Sequence, residues 1–79
     1  MTITVYSKSG CPECVFTKKL LEAENIPYTE KRVDLNQTYL DEVLLLGYRS
    51  LPVIKIDEAE TFTGYQPERL ENLVLEWQR

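Results

Sequence analysis

Two cysteines stand three positions apart near the start of this 79-residue chain, in the run Cys11-Pro12-Glu13-Cys14. The chain has no other cysteine and no histidine. This excludes a self-contained tetrahedral zinc site of the Cys/His kind, because such a site needs four of these ligands. A bridge between residues so close in sequence would constrain the unfolded chain only weakly, so a purely structural disulfide is a poor explanation. The pair therefore predicts thiol–disulfide exchange.

The position of the pair predicts a different role for each cysteine. A predicted strand and a polar loop ending in Gly10 precede it, and a helix is predicted to begin at Cys11 or Pro12. Unpaired N–H groups and the positive end of a helix favour a thiolate, so we expect the pKa of Cys11 to fall below the free value of about 8.5. Cys14 lies about one turn later and is expected to be more buried. Cys11 is therefore predicted to be the nucleophile, and Cys14 the residue that resolves the mixed disulfide.

Three neighbouring residues are predicted to adjust this chemistry. Pro12 would make the start of the helix rigid without adding a competing donor. Glu13 would place a carboxylate near the thiolate and oppose its ionisation, and Lys8 would offset this if its ammonium folds toward the sulfur. A solvated loop lysine is the alternative for Lys8. Two alternatives to exchange chemistry also stay open for the cysteines: a metal or iron–sulfur cluster shared by two chains, and a pair of incidental buried thiols.

Length and composition describe one small acidic domain over residues 1–79. The net charge of −4 disfavours nucleic acid as a partner, because an acidic surface repels phosphates. No run reaches the length of a membrane span and no signal peptide is recognisable, so we expect a cytoplasmic protein. In that reducing compartment a cysteine pair is more often catalytic or metal-binding than structural. We also expect a monomer.

The predicted elements follow the order β-α-β-α-β-β-α. Strands are predicted over residues 2–6, 28–34, 51–56 and 60–63, and helices from residue 11 or 12 to about 25, from 37 to 46 and from 67 onward. In the first helix Val15, Phe16, Lys19 or Leu20, and Ala23 recur at helical spacing, which predicts one apolar face. The crossover between the first two strands implies a parallel pair, while the last two strands form a hairpin. The prediction is an α/β fold: a four-stranded mixed sheet with helices on both faces.

The run over residues 5–14, Val-Tyr-Ser-Lys-Ser-Gly-Cys-Pro-Glu-Cys, resembles the active-site segment of glutaredoxins. The element order is also similar, over the whole chain, to the minimal thioredoxin fold. In that superfamily a proline before the third strand is cis and faces the cysteine pair. Leu51-Pro52-Val53 matches this position, so the resemblance implies that Pro52 is the cis-proline. Without the resemblance a trans proline would be expected, because only about 5–6% of such bonds are cis.

Two segments separate subgroups of this family. Typical glutaredoxins carry Thr-Val-Pro at the cis-proline, and a Gly-Gly-x-Asp-Asp-like turn that holds the γ-glutamyl end of glutathione. This chain has Ser50-Leu51-Pro52, and its turn lacks the second glycine and the paired acidic residues. The run Phe-Thr-Gly-Tyr-Gln-Pro over residues 62–67 instead resembles the Ser/Trp-Ser-Gly-Phe-x-Pro turn of NrdH-redoxins. The stretch over residues 44–52 also resembles theirs.

The NrdH-redoxin resemblance implies a dithiol electron carrier that thioredoxin reductase recharges and that supplies class Ib ribonucleotide reductase. The cofactor expectation is a redox-active disulfide between Cys11 and Cys14, with no bound metal. Pro12 is more typical of glutaredoxins, so a glutathione-dependent glutaredoxin stays open as an alternative. Phage-encoded redoxins often combine features of both groups, and the short length of this chain would suit a phage-encoded redoxin.

Five further residues are predicted to contact the substrate or a partner protein: Tyr6, Leu51, Thr63, Gly64 and Tyr65. Tyr6 follows the first strand toward the active-site mouth, where it would line a substrate groove. A half-buried strand residue is the alternative for Tyr6. Tyr65 lies in the turn before the last helix, where an exposed aromatic favours an interface with a reductase.

Overall fold

A computed structural model describes residues 1–78 of the chain. Its elements are β1 (Ile3–Ser7), α1 (Pro12–Ala23), β2 (Thr29–Arg32), α2 (Gln37–Leu45), β3 (Val53–Ile56), β4 (Glu60–Thr63) and α3 (Pro67–Trp77). The predicted order of elements is confirmed. No helix within residues 1–78 combines the length and the apolar character that crossing a membrane requires.

The four strands form one mixed sheet in the order β2-β1-β3-β4. β1 pairs with β2 in parallel, with Val5 opposite Glu30, and with β3 in antiparallel, with Val5 opposite Ile54. β3 and β4 form the expected antiparallel hairpin. β1 is therefore an inner strand, and the loop that carries the cysteines leaves from the middle of the sheet.

Helices cover both faces of the sheet, as predicted. Side chains alternate between the faces along a strand, so Val5 points into one core cluster and Tyr6 into the other. The larger cluster joins the sheet to α1 and α3, and the smaller one joins it to α2. The larger cluster consists of Ile3, Val5, Leu21, Ile26, Ile54, Phe62, Leu70, Leu73 and Val74, and the smaller one of Tyr6, Val33, Val43 and Val53.

A carboxylate ties α1 to the end of β1. The hydroxyl of Ser7, which is fully buried, donates to Glu30 at 2.6 Å, and the Lys18 ammonium of α1 donates to the same oxygen at 2.7 Å. The bond from Lys18 and then that from Ser7 lower the pKa of Glu30. This bridge holds the strand that precedes the cysteine loop against the helix that follows it.

A second carboxylate, that of Glu42, ties α2 to the other face of the sheet, and it determines the position of Tyr6. The Tyr6 hydroxyl donates to Glu42 at 2.6 Å, and Lys31 donates to the same oxygen at 3.0 Å. Burial and the bond to Glu42 raise the pKa of Tyr6. Tyr6 is 1% exposed, so it is more buried than the half-buried strand residue that was the alternative, and its contact with a substrate stays a prediction.

The buried face of α1 differs from the predicted one. Val15 and Phe16 are 40% and 52% exposed, whereas Cys14, Thr17 and Leu21 are buried. Thr17 can be buried because its hydroxyl donates to the Glu13 carbonyl at 2.9 Å, one turn earlier. The hydrophobic character of Val15 and Phe16 therefore gave the wrong phase for this helix.

Three strand boundaries also shift. β1 covers residues 3–7 rather than 2–6, and β2 is shorter than predicted at both ends. β3 begins at Val53 rather than at residue 51. Pro52 has no N–H to donate to a neighbouring strand, which leaves Leu51 and Pro52 as a connection in front of β3.

Candidate active site

The cysteines are placed by the start of α1. Cys11 is the N-cap residue, with extended backbone angles (φ −112°, ψ 100°), and its sulfur accepts the N–H of Cys14 at 3.2 Å. The two residues form a disulfide, with their Cα atoms 5.2 Å apart. Cys11 is 8% exposed and Cys14 1%. An incoming sulfur can therefore reach the pair only through Cys11, and the N–H bond to its sulfur is strongest when that sulfur is a thiolate.

The loop before Cys11 is held by Asp34, which follows β2. The Ser9 N–H donates to one carboxylate oxygen of Asp34 at 3.2 Å, and Arg32 donates to both oxygens at 2.8 and 2.6 Å. The guanidinium of Arg32 is the main cause that lowers the pKa of Asp34 to about 2. Gly10 has a φ of +72°, a conformation that glycine adopts without strain, and it turns the chain into Cys11.

The segment before β3 lies against Cys11. The peptide bond between Leu51 and Pro52 is cis, as the family resemblance implies. The Leu51 carbonyl oxygen lies 3.8 Å from the Cys11 sulfur. The disulfide sulfur carries no proton, so this is a packing contact; a reduced Cys11 thiol could donate there.

The turn after β4 is bound to this same segment. The Thr63 hydroxyl lies 3.0 Å from the Ser50 carbonyl oxygen and 3.1 Å from that of Pro52, and the Gly64 N–H donates to the Pro52 carbonyl at 2.9 Å. Gly64 has a φ of +84°. The turn, which lies some fifty residues from the cysteines in sequence, is therefore two contacts away from Cys11, through Pro52 and Leu51.

An aromatic pair joins the turn to α1, the helix that begins at the cysteines. Tyr65, in the turn, packs against the larger core cluster, and its ring centroid lies 5.7 Å from that of Phe16 on α1. Phe16 was expected in the core and not at the site. The burial expected for Cys14 could have placed Phe16 correctly. Phe16 comes two residues after Cys14, and two such positions on a helix are about 200° apart, on nearly opposite sides.

The remaining predicted site residues surround Cys11. Pro12 and Glu13 are exposed in the first turn of α1. Lys8 is exposed and lines a groove with Leu51, Tyr48 and other residues of α2 and the segment after it. The structure thus brings these residues to one edge of the molecule, while the roles assigned to them stay predictions.

Within residues 1–78 of a single chain, no cluster of three or more histidine, cysteine, aspartate or glutamate side chains could hold a metal ion. The two sulfurs are joined to each other. Their geometry suits two-electron exchange, in which the disulfide is the oxidised form and a dithiol the reduced form.

Comparison with known proteins agrees with this geometry. The glutaredoxin family model matches residues 3–59. The chain belongs to the glutaredoxin family. The glutaredoxin-like protein NrdH of Lactococcus lactis is 35% identical over 90% of this chain and 97% of its own length. This glutaredoxin is also 34% identical to the Gene 56 protein of Mycobacterium phage L5, over 91% of this chain and 71% of the phage protein.

A solved structure supports the same subgroup of the family, the NrdH-redoxins. The NrdH-redoxin of Escherichia coli superposes with a TM-score of 0.84 at 27% identity, over 92% of this chain and 95% of that one. The predicted glutaredoxin-like NrdH-redoxin with a thioredoxin fold is thus confirmed. The chain is a thiol–disulfide oxidoreductase with a Cys-x-x-Cys motif, and its relatives in phages agree with the expected resemblance to phage redoxins.

Proposed function

We propose that this oxidoreductase is a cytoplasmic dithiol electron carrier that donates to protein disulfides, ribonucleotide reductase among them, and that thioredoxin reductase recharges. The observation that carries the proposal is the turn over residues 63–66. Thr63 and Gly64 bind it to the segment that contacts Cys11, and it has no pair of acidic residues to bind the amino end of glutathione. The similar NrdH-redoxin of Escherichia coli is described as having a thioredoxin-like activity profile.

The exposure of the two cysteines supports an order of events. The Cys11 thiolate attacks one sulfur of a substrate disulfide, forming a bond to that sulfur while the second substrate sulfur leaves as a thiolate. The Cys14 thiolate then attacks Cys11, which restores the Cys11–Cys14 disulfide and releases the other substrate thiolate. The substrate gains two electrons and the carrier loses two. Cys14, which is 1% exposed, is protected from solution thiols but adjacent to Cys11.

Recharging reverses the flow of electrons. A thiolate of the reductase attacks Cys11, which displaces Cys14 as a thiolate, and a second reductase thiol then releases Cys11. The N–H of Cys14 donates to the Cys11 sulfur and would stabilise the thiolate that this step produces. In this account Pro52 and Leu51 form the surface against which the partner's sulfur approaches.

The choice of recycling system tests the proposal. Oxidation of NADPH is followed with a protein disulfide as acceptor, once with thioredoxin reductase and once with glutathione and glutathione reductase. We expect turnover with thioredoxin reductase, and none with either system when Cys11 is replaced by serine. Turnover only with glutathione would overturn the proposal in favour of a glutathione-dependent enzyme. A coloured, metal-containing dimer would instead favour a shared cluster.

A further inference from the structure

We propose that Phe16 and Tyr65 form a docking knob for the electron donor, a folded protein that presents an apolar depression with a basic rim. The inference rests on the proposed function, because it concerns the donor named there. It assigns a role to Phe16, a residue that the fold does not require in its core and that belongs to neither the cysteine motif nor the turn.

The knob is built from two separate elements. Phe16 lies on α1, four residues after Pro12, and Tyr65 lies in the turn before α3; their ring centroids are 5.7 Å apart at an angle of 53°. Tyr65 is partly buried against the larger core cluster, so it supports the more exposed ring. This arrangement fixes Phe16 on the surface with little freedom left to lose on binding.

The knob and the residue before it expose large apolar side chains to solvent. Phe16 is 52% exposed and Val15, one position earlier, is 40% exposed. Val15 lies one turn after Cys11 and donates its N–H to the Cys11 carbonyl at 3.2 Å. Exposed apolar side chains four and five residues after a reactive cysteine indicate a protein interaction site, because exposed apolar surface otherwise lowers solubility without a benefit.

The charges around the knob indicate the partner's chemistry. Glu13 lies three residues before Phe16 on α1, and Glu68 lies three residues after Tyr65 on α3; both are exposed in the first turn of their helices. Lys19 is the exposed cation on α1, one turn beyond Phe16 and farther from Cys11. Arg69, which follows Glu68, is paired with Glu60 at 2.6 Å. An exposed carboxylate therefore lies near each ring in sequence, which complements a basic rim and speeds encounter with it.

The shape of the knob favours a folded donor over a flexible segment. A groove lined by Lys8, Leu44, Tyr48 and Leu51 is concave and suits an extended segment. Phe16 and Tyr65 do not line that groove, and the Phe16 ring is half exposed, so it would be covered by a depression in the partner. A folded reductase can supply one beside its own dithiol.

The experiment compares the reductase with a small reductant. Thioredoxin reductase and NADPH reduce the oxidised protein, which is present at limiting concentration. Dithiothreitol reduces the same samples in parallel. For Phe16→Ala and Tyr65→Ala we expect kcat/KM with the reductase to fall about tenfold or more, mainly through KM, because buried aromatic anchors dominate docking energy. The ratio of this rate to the dithiothreitol rate should fall by the same factor. Phe16→Leu should recover part of the loss.

Two further variants serve as a control and a charge test. Leu75→Ala removes a side chain that is 62% exposed near the far end of α3 and should leave both rates unchanged. Glu68→Gln should make kcat/KM less sensitive to added salt, because salt screens charge attraction across an interface.

The outcomes separate the inference from the proposed function. If the unmodified protein is not reduced by thioredoxin reductase, the proposed function fails. If it is reduced but both alanine variants keep kcat/KM within about twofold, the docking knob is wrong. An equal loss with dithiothreitol would show that the substitutions disturb the disulfide itself and would overturn the inference. A loss confined to transfer onto protein disulfides would overturn the assignment to the donor.

Discussion

Replacing Thr63 by valine tests how the turn is held against the active site. The Thr63 hydroxyl has one proton, and it lies within bonding distance of two carbonyl oxygens, those of Ser50 (3.0 Å) and Pro52 (3.1 Å). Valine has nearly the same shape but cannot donate. The substitution therefore removes the side-chain hydrogen bond from the turn to the cis-proline segment and leaves the packing almost unchanged.

The size of the effect depends on the hydrogen-bond partners that each carbonyl oxygen keeps after the substitution. Pro52 is buried, but its carbonyl still accepts the Gly64 N–H at 2.9 Å. Ser50 is exposed, so water can replace the lost donor. Neither oxygen is left without a partner, so the loss is that of one ordinary hydrogen bond, about 1 kcal/mol of the free energy of unfolding. For a domain of this size, that corresponds to a melting temperature lowered by about 4–8 °C.

Urea unfolding of the oxidised protein measures this loss. The midpoint should fall in Thr63→Val while the dependence on urea, the m-value, stays unchanged. Thr63→Ser keeps the hydroxyl and should recover most of the stability. A loss above about 3 kcal/mol would mean that a buried group is left unpaired. No loss at all, or the same loss in both variants, would refute the role of the hydroxyl.

Two other substitutions have effects that the structure determines. Gly64→Ala should cost about 1–2 kcal/mol in urea unfolding, because its φ of +84° disfavours other residues while a new Cβ would meet no atom within 4 Å; a much larger loss would reveal a clash. Glu42 has a pKa lowered from 4.5 by the Tyr6 hydroxyl and then by Lys31. Its ionised form therefore stabilises the fold at neutral pH, and this contribution disappears as the pH falls below 4.5 toward the lower pKa of the folded state. Glu42→Gln should remove that part of the acid-induced loss in urea midpoints measured across this range, and an unchanged pH dependence would contradict it.

The order of elements and the mixed sheet could be predicted because local patterns determine them. Strand residues of 2–6 and 61–63 are β-branched or aromatic, and Pro12, Gly47 and Pro67 mark where helices begin or end. The chain order then leaves few topologies, since a crossover joins parallel strands. The cysteines could be located in the same way, because their spacing and place before a helix are visible in the sequence.

What the sequence could not provide are the contacts between distant segments. The apolar face of α1 was misplaced because Thr17 is buried through a bond to a backbone carbonyl, which hydropathy does not register. The place of Tyr6 depended on Glu42, which lies 36 residues away. The pairing of Phe16 with Tyr65 joins two elements that only the folded chain brings together.

Trapping the exchange intermediate tests the central claim that Cys11 attacks and Cys14 resolves. The Cys14→Ser variant, reduced and mixed with a protein disulfide, should accumulate a mixed disulfide that mass spectrometry locates on Cys11, because no second thiol can release the substrate. The Cys11→Ser variant should form no such adduct, since Cys14 is 1% exposed. Full turnover by Cys14→Ser with protein disulfides, or an adduct located on Cys14 in Cys11→Ser, would contradict the account.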